Sequence, residues 1–82
     1  MTVRDALKAV NAKDGCRVSY RAKITVPCRK HKVDTWLGVC EYRDGGLISL
    51  DSDSYDIDRE IIGYSFESGP FGEILVVYIP TE

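Results

Sequence analysis

The sequence predicts an α+β domain in which an N-terminal helix packs on a strongly bent, five-stranded antiparallel sheet. Three observations lead to this prediction. Residues 16–26 alternate without a break between apolar and polar side chains, which is typical of an antiparallel strand with one covered face. An apolar helical stripe precedes this segment, and four shorter strand patterns follow it. The 82 residues are enough for a single domain over 1–82.

The helix is predicted over residues 2–13. Its apolar face, at the spacing i, i+3, i+4 and i+7, consists of Val3, Ala6, Leu7 and Val10. Thr2 can cap the first turn, and Asp5 three residues later completes a capping box. Asp14 and Gly15 are expected to end the helix. A helix of about three turns is marginal alone, so it must dock on the sheet and bury its apolar face.

The first strand, 16–26, has two distinct faces. The face expected in the core carries Cys16, Val18, Tyr20, Ala22, Ile24 and Val26, and the face expected in water carries Arg17, Ser19, Arg21, Lys23 and Thr25. A strand of this length spans roughly 36 Å, whereas a compact chain of this size is about 30 Å across. The strand is therefore expected to bend, either at a bulge or by coiling into a barrel-like sheet.

The remaining strands are predicted over 33–42, 47–50, 61–67 and 74–79. The two parities of the second strand are both partly apolar, with Thr35, Leu37 and Val39 on one and Trp36, Gly38, Cys40 and Tyr42 on the other. Either both faces are covered, or Trp36 and Tyr42 stand on an exposed aromatic patch. Arg43-Asp44-Gly45-Gly46 is a hairpin signal, because glycine supplies the positive φ of a tight turn.

This order of elements resembles the Sm-like group within the SH3-like barrels. The closest local similarity is Gly38-Val39-Cys40-Glu41-Tyr42-Arg43-Asp44 followed by Leu47-Ile48-Ser49-Leu50-Asp51. The resemblance implies a small barrel or roll and makes RNA a candidate ligand. The chain departs from the Sm pattern in having no Asn after Asp44 and no Arg-Gly pair before Ile74, so no RNA-binding residue carries over.

The opening Thr2-Val3-Arg4-Asp5, leading into an apolar helix on a chain of 82 residues, resembles short proteins of phages and mobile elements in Gram-positive bacteria. Anti-CRISPR inhibitors are among them. This resemblance implies a protein that blocks a nucleic-acid-handling partner.

The net charge of −2 hides a strong asymmetry. Residues 1–43 have ten basic and four acidic side chains, a balance of +6, whereas residues 44–82 have one basic and nine acidic side chains, a balance of −8. The two halves either interleave in space and neutralise each other, or they form a basic and an acidic face that steer charged partners.

The cellular compartment is expected to be the cytoplasm. No apolar run approaches the roughly 18 residues that cross a membrane, and residues 1–8 have no apolar signal core. Three cysteines, an odd number, argue against a secreted disulfide framework. We expect reduced thiols and no membrane association.

Metal binding and catalysis find little support. Cys28 and His31 have workable zinc spacing, but Cys16 and Cys40 lie within strands and offer no close second pair. The segment from Asp51 lacks the glycine and glutamate of a calcium loop. We therefore expect no metal, no cofactor and no enzymatic activity.

Two charged surfaces are the candidate binding sites. The basic and aromatic set consists of Arg17, Arg21, Lys23, Arg29, Lys30, Lys32, Trp36 and Tyr42. The acidic set consists of Asp51, Asp53, Asp56, Asp58 and Glu60, whose carboxylates could imitate a row of phosphates. The sequence thus predicts a non-catalytic protein-binding inhibitor of a nucleic-acid-handling protein. The alternative is a small barrel that binds RNA or single-stranded DNA through a basic sheet face.

Overall fold

The computed structural model describes residues 1–26, 31–50, 54–70 and 72–80, with the backbone alone described at 24–26 and 31–32. Helix α1 (Val3–Ala9) is followed by strands β1 (Cys16–Val26), β2 (His31–Arg43), β3 (Gly46–Ser49), β4 (Gly63–Gly69) and β5 (Gly72–Tyr78). The predicted α+β class, with one helix before five strands, is confirmed.

The predicted capping box is present, but helix α1 ends earlier than expected. The Thr2 hydroxyl accepts a hydrogen bond from the Asp5 amide, and the Thr2 amide donates to the Asp5 carboxylate at 2.9 Å. The helix stops because Asn11 adopts a φ of 54°, and Ala12 donates back to the Leu7 carbonyl at 3.0 Å. Together with the bond from Asn11 to the Lys8 carbonyl, this is a Schellman motif with asparagine in the left-handed position.

The sheet is open and mixed, with the strand order β3-β2-β1-β5-β4. Three neighbouring pairs are antiparallel, but β1 and β5 run parallel, from Arg17 beside Ile74 to Arg21 beside Tyr78. The prediction of an all-antiparallel sheet is therefore wrong at this pair. A closed barrel is not formed either, since β3 and β4 are the two edges of the sheet.

The physical reason for the parallel pair is the long connection from β3 to β4. We call residues 54–62 of this connection the crossing segment. It leads from one edge of the sheet to the other, as a parallel pairing requires. On the way it pairs with the N-terminus. The amides of Val3 and Arg4 donate to the carbonyls of Arg59 and Ile57 at 3.1 and 2.8 Å. These bonds satisfy amides that have no partner within the helix itself.

Helix α1 and the crossing segment cover one face of the sheet. The buried cluster on this covered face comprises Val3, Ala6, Leu7, Cys16, Val18, Tyr20, Cys40, Ile61, Leu75 and Val77. Val18 and Tyr20 are buried while Arg17 and Lys23 are exposed, as the predicted parity of β1 requires. The prediction that Ser19 lies in water is wrong, since it is 6% exposed, and Arg21 is half-buried rather than exposed. Val10 is only half-buried and packs at the margin of the cluster. The predicted burial of Ile24 lies outside the described side chains.

Gly38 allows the crossing segment to pack closely. The Tyr55 ring stacks on Tyr20, with 4.9 Å between ring centroids, and its hydroxyl lies where a Cβ on residue 38 would be. Any larger side chain at position 38 would collide with Tyr55, so this glycine fixes the path of the crossing segment over the sheet.

Candidate binding face

The face of the sheet away from helix α1, which we call the open face, is defined by a bulge in β2. The register between β1 and β2 shifts between Tyr20 and Arg21: Gly38 lies opposite Tyr20, but Trp36 lies opposite Arg21. Leu37 is therefore the extra residue of a β-bulge. Because of this extra residue, Trp36 and Gly38 lie on opposite faces of the sheet, although residues two apart in a regular strand share one face. The bulge that the length of β1 predicted is present, although the extra residue lies on its partner strand.

The bulge separates the two aromatic residues that the sequence analysis had grouped. Trp36 shares the open face with Arg21 and is 60% exposed. Tyr42 lies opposite Cys16 and packs against the buried cluster on the covered face. The sequence left two arrangements open for the second strand, one with both faces covered and one with both aromatic rings exposed. The structure matches neither, since Trp36 is exposed and Tyr42 packs against the core.

The basic residues of β1 form a column along the open face. Arg17 and Lys23 are exposed and Arg21 is half-buried. The other members of the predicted basic set, Arg29, Lys30 and the side chain of Lys32, lie outside the described part of the chain. Of the predicted basic residues, the structure therefore describes the side chains of Arg17, Arg21 and Lys23.

Arg21 lies between two aromatic residues. Its cross-strand partners are Trp36 on β2 and Tyr78 on β5, and residues directly opposite in a sheet have neighbouring side chains on one face. The Lys23 ammonium lies 5.4 Å from the centroid of the Tyr78 ring, a cation–π distance. The Tyr78 hydroxyl donates to the Asp34 carboxylate at 3.3 Å. These five residues form a compact group, which we call the Arg21 cluster.

Next to this cluster the open face is apolar. Ile74 and Val76 on β5 have Arg17 and Ser19 as partners, and Val39 lies on the other side of Ser19. Ile74 is 37% exposed and Ile48, on the edge strand β3, is 47% exposed. Val76 and its partner Ser19, in the middle of this face, are each only 6% exposed.

These apolar residues and Tyr78 were not predicted as parts of a binding site. The signal that could have found them is the period-2 spacing of Ile74, Val76 and Tyr78 between the core residues Leu75 and Val77. Because every residue from 74 to 79 is apolar or aromatic, the pattern alone does not show which side of the strand faces helix α1.

Acidic residues interrupt the basic column. Asp34 lies opposite Lys23, Glu41 lies opposite Arg17, and Glu67 lies opposite Ile74 on the far side of β5. The Glu41 carboxylate also forms an ion pair with the Nε of Arg43 at 2.9 Å. The described charges on the open face are therefore of both signs.

The described acidic residues of the crossing segment are used inside the protein. Asp58 pairs with the Arg4 guanidinium at 2.9 Å, and Glu60 accepts a hydrogen bond from the N-terminal ammonium at 3.2 Å. Asp56 accepts a bond from the Asp58 amide at 2.9 Å and so closes a turn. The bond from Arg4 holds the pKa of Asp58 below its usual range. Asp51 and Asp53 lie outside the described residues.

The candidate zinc ligands are not assembled within the described residues. Cys16 and Cys40 are buried in the core and are not joined in a disulfide, and burial raises the pKa of Cys16. Cys28 and the side chain of His31 lie outside the described part. Among the described residues, no group of three His, Cys, Asp or Glu side chains could hold a metal ion.

The described residues also contain no helix that could cross a bilayer. A surface cleft of about 380 Å³ lies on the covered side between Tyr20, Leu37, Tyr55 and Arg59.

Comparison of the chain with protein-family models, with curated proteins and with solved structures finds no match in any of the three.

Proposed function

We propose that this protein is a non-catalytic binding protein and that another protein docks on its open face. The observation that carries this proposal is the exposed Trp36 beside Arg21, on the sheet face opposite helix α1, where Ile48 and Ile74 are also exposed. Protein interfaces combine an apolar centre with a polar rim, and tryptophan, tyrosine and arginine contribute most of their binding energy. The open face carries residues of these kinds.

The charge distribution favours a protein over a nucleic acid. A strand of nucleic acid needs a continuous basic groove that follows its phosphates. On the open face, Asp34, Glu41 and Glu67 flank the column of Arg17, Arg21 and Lys23. A regular row of phosphates along β1 would meet these carboxylates, whereas a protein surface can present charges of both signs in matching positions.

Within this proposal the docked protein is one that handles nucleic acid, and docking inhibits it. The resemblance of the N-terminal segment to short phage proteins supports this extension. The acidic set supplies a second contact in this scheme. Among its described members, Asp58 and Glu60 form ion pairs within the protein, whereas Asp56 does not.

Co-purification with three forms of the protein tests the proposal. The bait is the wild type, a variant with Arg17, Arg21 and Lys23 changed to Gln, or a variant with Asp53, Asp56 and Asp58 changed to Asn. Bound proteins from a lysate of the source cells are quantified by mass spectrometry. We expect the Gln variant to lose the partner that the wild type retains, while the Asn variant binds it more slowly.

The two variants also control for each other, because each changes three charges and each must keep the circular dichroism and melting temperature of a folded protein. Retention of the same partner by both variants and by Trp36→Ala would refute docking on the open face.

Binding of single-stranded nucleic acid is the second candidate function, favoured by the three basic side chains that share a face with Trp36. Trp36 is the only tryptophan, so its emission reports directly on the open face. Titration with a thymidine oligonucleotide at several salt concentrations measures this activity. Quenching with an affinity that falls steeply with salt would put nucleic acid first.

A further inference from the structure

Arg21 has no counter-ion within the described part of the chain. The three ion pairs found there join Arg4 to Asp58, Arg43 to Glu41, and the N-terminus to Glu60. The Arg21 Nε is buried with no hydrogen-bond partner, although the residue as a whole is only half-buried. An unmatched buried donor is costly, and native proteins usually supply it with an acceptor.

The Asp34 carboxylate of the same cluster does not supply that acceptor. Asp34 lies opposite Lys23 rather than opposite Arg21, and it accepts the hydrogen bond from the Tyr78 hydroxyl. Trp36 and Tyr78 meanwhile occupy both cross-strand positions beside Arg21. Aromatic neighbours can stack on a guanidinium and fix its plane, and neither of these two accepts a hydrogen bond from the Arg21 Nε.

We propose that Arg21 is the recognition site for an aspartate or glutamate carboxylate of the docked protein. This inference rests on the proposed function and names the chemistry of the partner at one position. A guanidinium binds a carboxylate through two parallel hydrogen bonds, which makes arginine specific for planar anions. The Lys23 ammonium adds a second positive charge next to the same site.

The residues beside the cluster define the rest of the partner segment. Ile74, which is 37% exposed, and the half-buried Val39 provide apolar contacts along the open face from Arg21. A segment that places an acidic residue on Arg21 therefore places apolar side chains on this surface. A phosphate could also accept bonds from Arg21, but the strand it belongs to would lie across Glu41 and Glu67.

Two blocked tripeptides probe the site directly, one with aspartate between two leucines and one with asparagine at the same position. Each is titrated to millimolar concentration into isotope-labelled full-length protein, and the shifts of the Arg21 Nε–H and Trp36 indole signals are followed by NMR. We expect the aspartate peptide to shift both signals and to bind roughly tenfold or more tightly than the asparagine peptide. The reason is that the asparagine peptide has a neutral amide in place of the charged carboxylate.

Arg17→Gln is the matched control for Arg21→Gln, since Arg17 lies on the same strand and the same face but opposite Glu41. We expect Arg21→Gln to remove the preference for aspartate and Arg17→Gln to retain it. Arg21→Lys should restore the charge but only part of the preference, because lysine cannot form the paired hydrogen bonds.

The remaining outcomes separate this inference from the proposed function. Equal binding of both peptides at the open face would overturn the carboxylate site and leave protein docking standing. Tighter binding of a thymidine oligonucleotide to the same signals would overturn both in favour of nucleic acid. If no probe shifts either signal, the carboxylate site is refuted, and docking is then judged from co-purification alone.

Discussion

Leu75 and Ile74 are neighbours in strand β5, yet they belong to opposite faces of the sheet with different tasks. Leu75 is fully buried beneath helix α1 and the crossing segment, whereas Ile74 is 37% exposed on the open face. Both are large aliphatic residues, so side-chain type alone does not tell core from surface. What separates the two faces is the cover that the rest of the chain provides, and the uncovered apolar residues are available for a partner.

Stability measurements on these two neighbours give the sharpest contrast. Leu75→Ala should lower the free energy of unfolding by about 2–5 kcal/mol, because it leaves a cavity in the core. Ile74→Ala should cost about 1 kcal/mol or less, as a substitution of a partly exposed residue does. Urea unfolding of both variants measures the difference, and equal losses would show that the open face is also part of the core.

Gly38→Ala tests whether the crossing segment is fixed on the covered face. The new methyl group would collide with the Tyr55 hydroxyl, and overpacking of this kind costs about 1–3 kcal/mol. Tyr55→Phe removes the hydroxyl, so the double variant should lose less stability than the two single variants together. Strict additivity in urea unfolding would mean that Tyr55 does not pack against position 38.

Acidification tests how the N-terminus is held to the covered face. The amide of Thr2 keeps the pKa of Asp5 low, and the Arg4 guanidinium does the same for Asp58, both below the ordinary value of 3.8. Carboxyls with a lowered pKa in the folded state contribute stability that is complete above 3.8 and is lost as pH falls through the folded-state values.

The expected result is a urea midpoint that decreases as pH is lowered below this value, by a smaller amount in Asp58→Asn than in the wild type. Because both carboxyls are exposed, the effect should be small and should weaken further in high salt. An identical acid response in the variant would show that the Arg4–Asp58 pair contributes nothing.

Trp36→Ala should have the smallest effect on stability and the clearest effect on binding. With 60% of the residue exposed, we expect the free energy of unfolding to stay within about 0.5 kcal/mol of the wild type. Calorimetry of the free protein checks this, and the co-purification above checks the loss of the partner. A substantial drop in melting temperature would place Trp36 among the stabilising residues instead.

The sequence predicted what depends on local pattern. The capping box of Thr2 and Asp5 and the parity of β1 needed only short-range spacing. The first is confirmed, and the second holds except that Ser19 is buried and Arg21 is half-buried. The early end of α1 at Asn11 was missed because Asp14-Gly15 gave a stronger stop signal. The parallel pairing of β5 could not be predicted, since alternation within a strand says nothing about which strand lies beside it.

The candidate site was predicted only in part for the same reason. Arg17, Arg21 and Lys23 follow from the alternation of one strand. Bringing Trp36 to them and moving Tyr42 away needed one extra residue at Leu37, which periodicity cannot detect when both parities are apolar. Tyr78 joins Arg21 only through the parallel pair, so no local pattern could have placed it there.

The bulge at Leu37 also has a consequence for how this surface tolerates mutation. Loss of the Leu37 codon would leave Gly38 opposite Tyr20 and Trp36 opposite Arg21, because the remaining residues then alternate in step with β1. Loss of the Thr35 codon would instead bring Asp34 opposite Ala22 and turn it toward the covered face. In genetic terms, an in-frame deletion of three nucleotides preserves this surface at one codon and disrupts it two codons away.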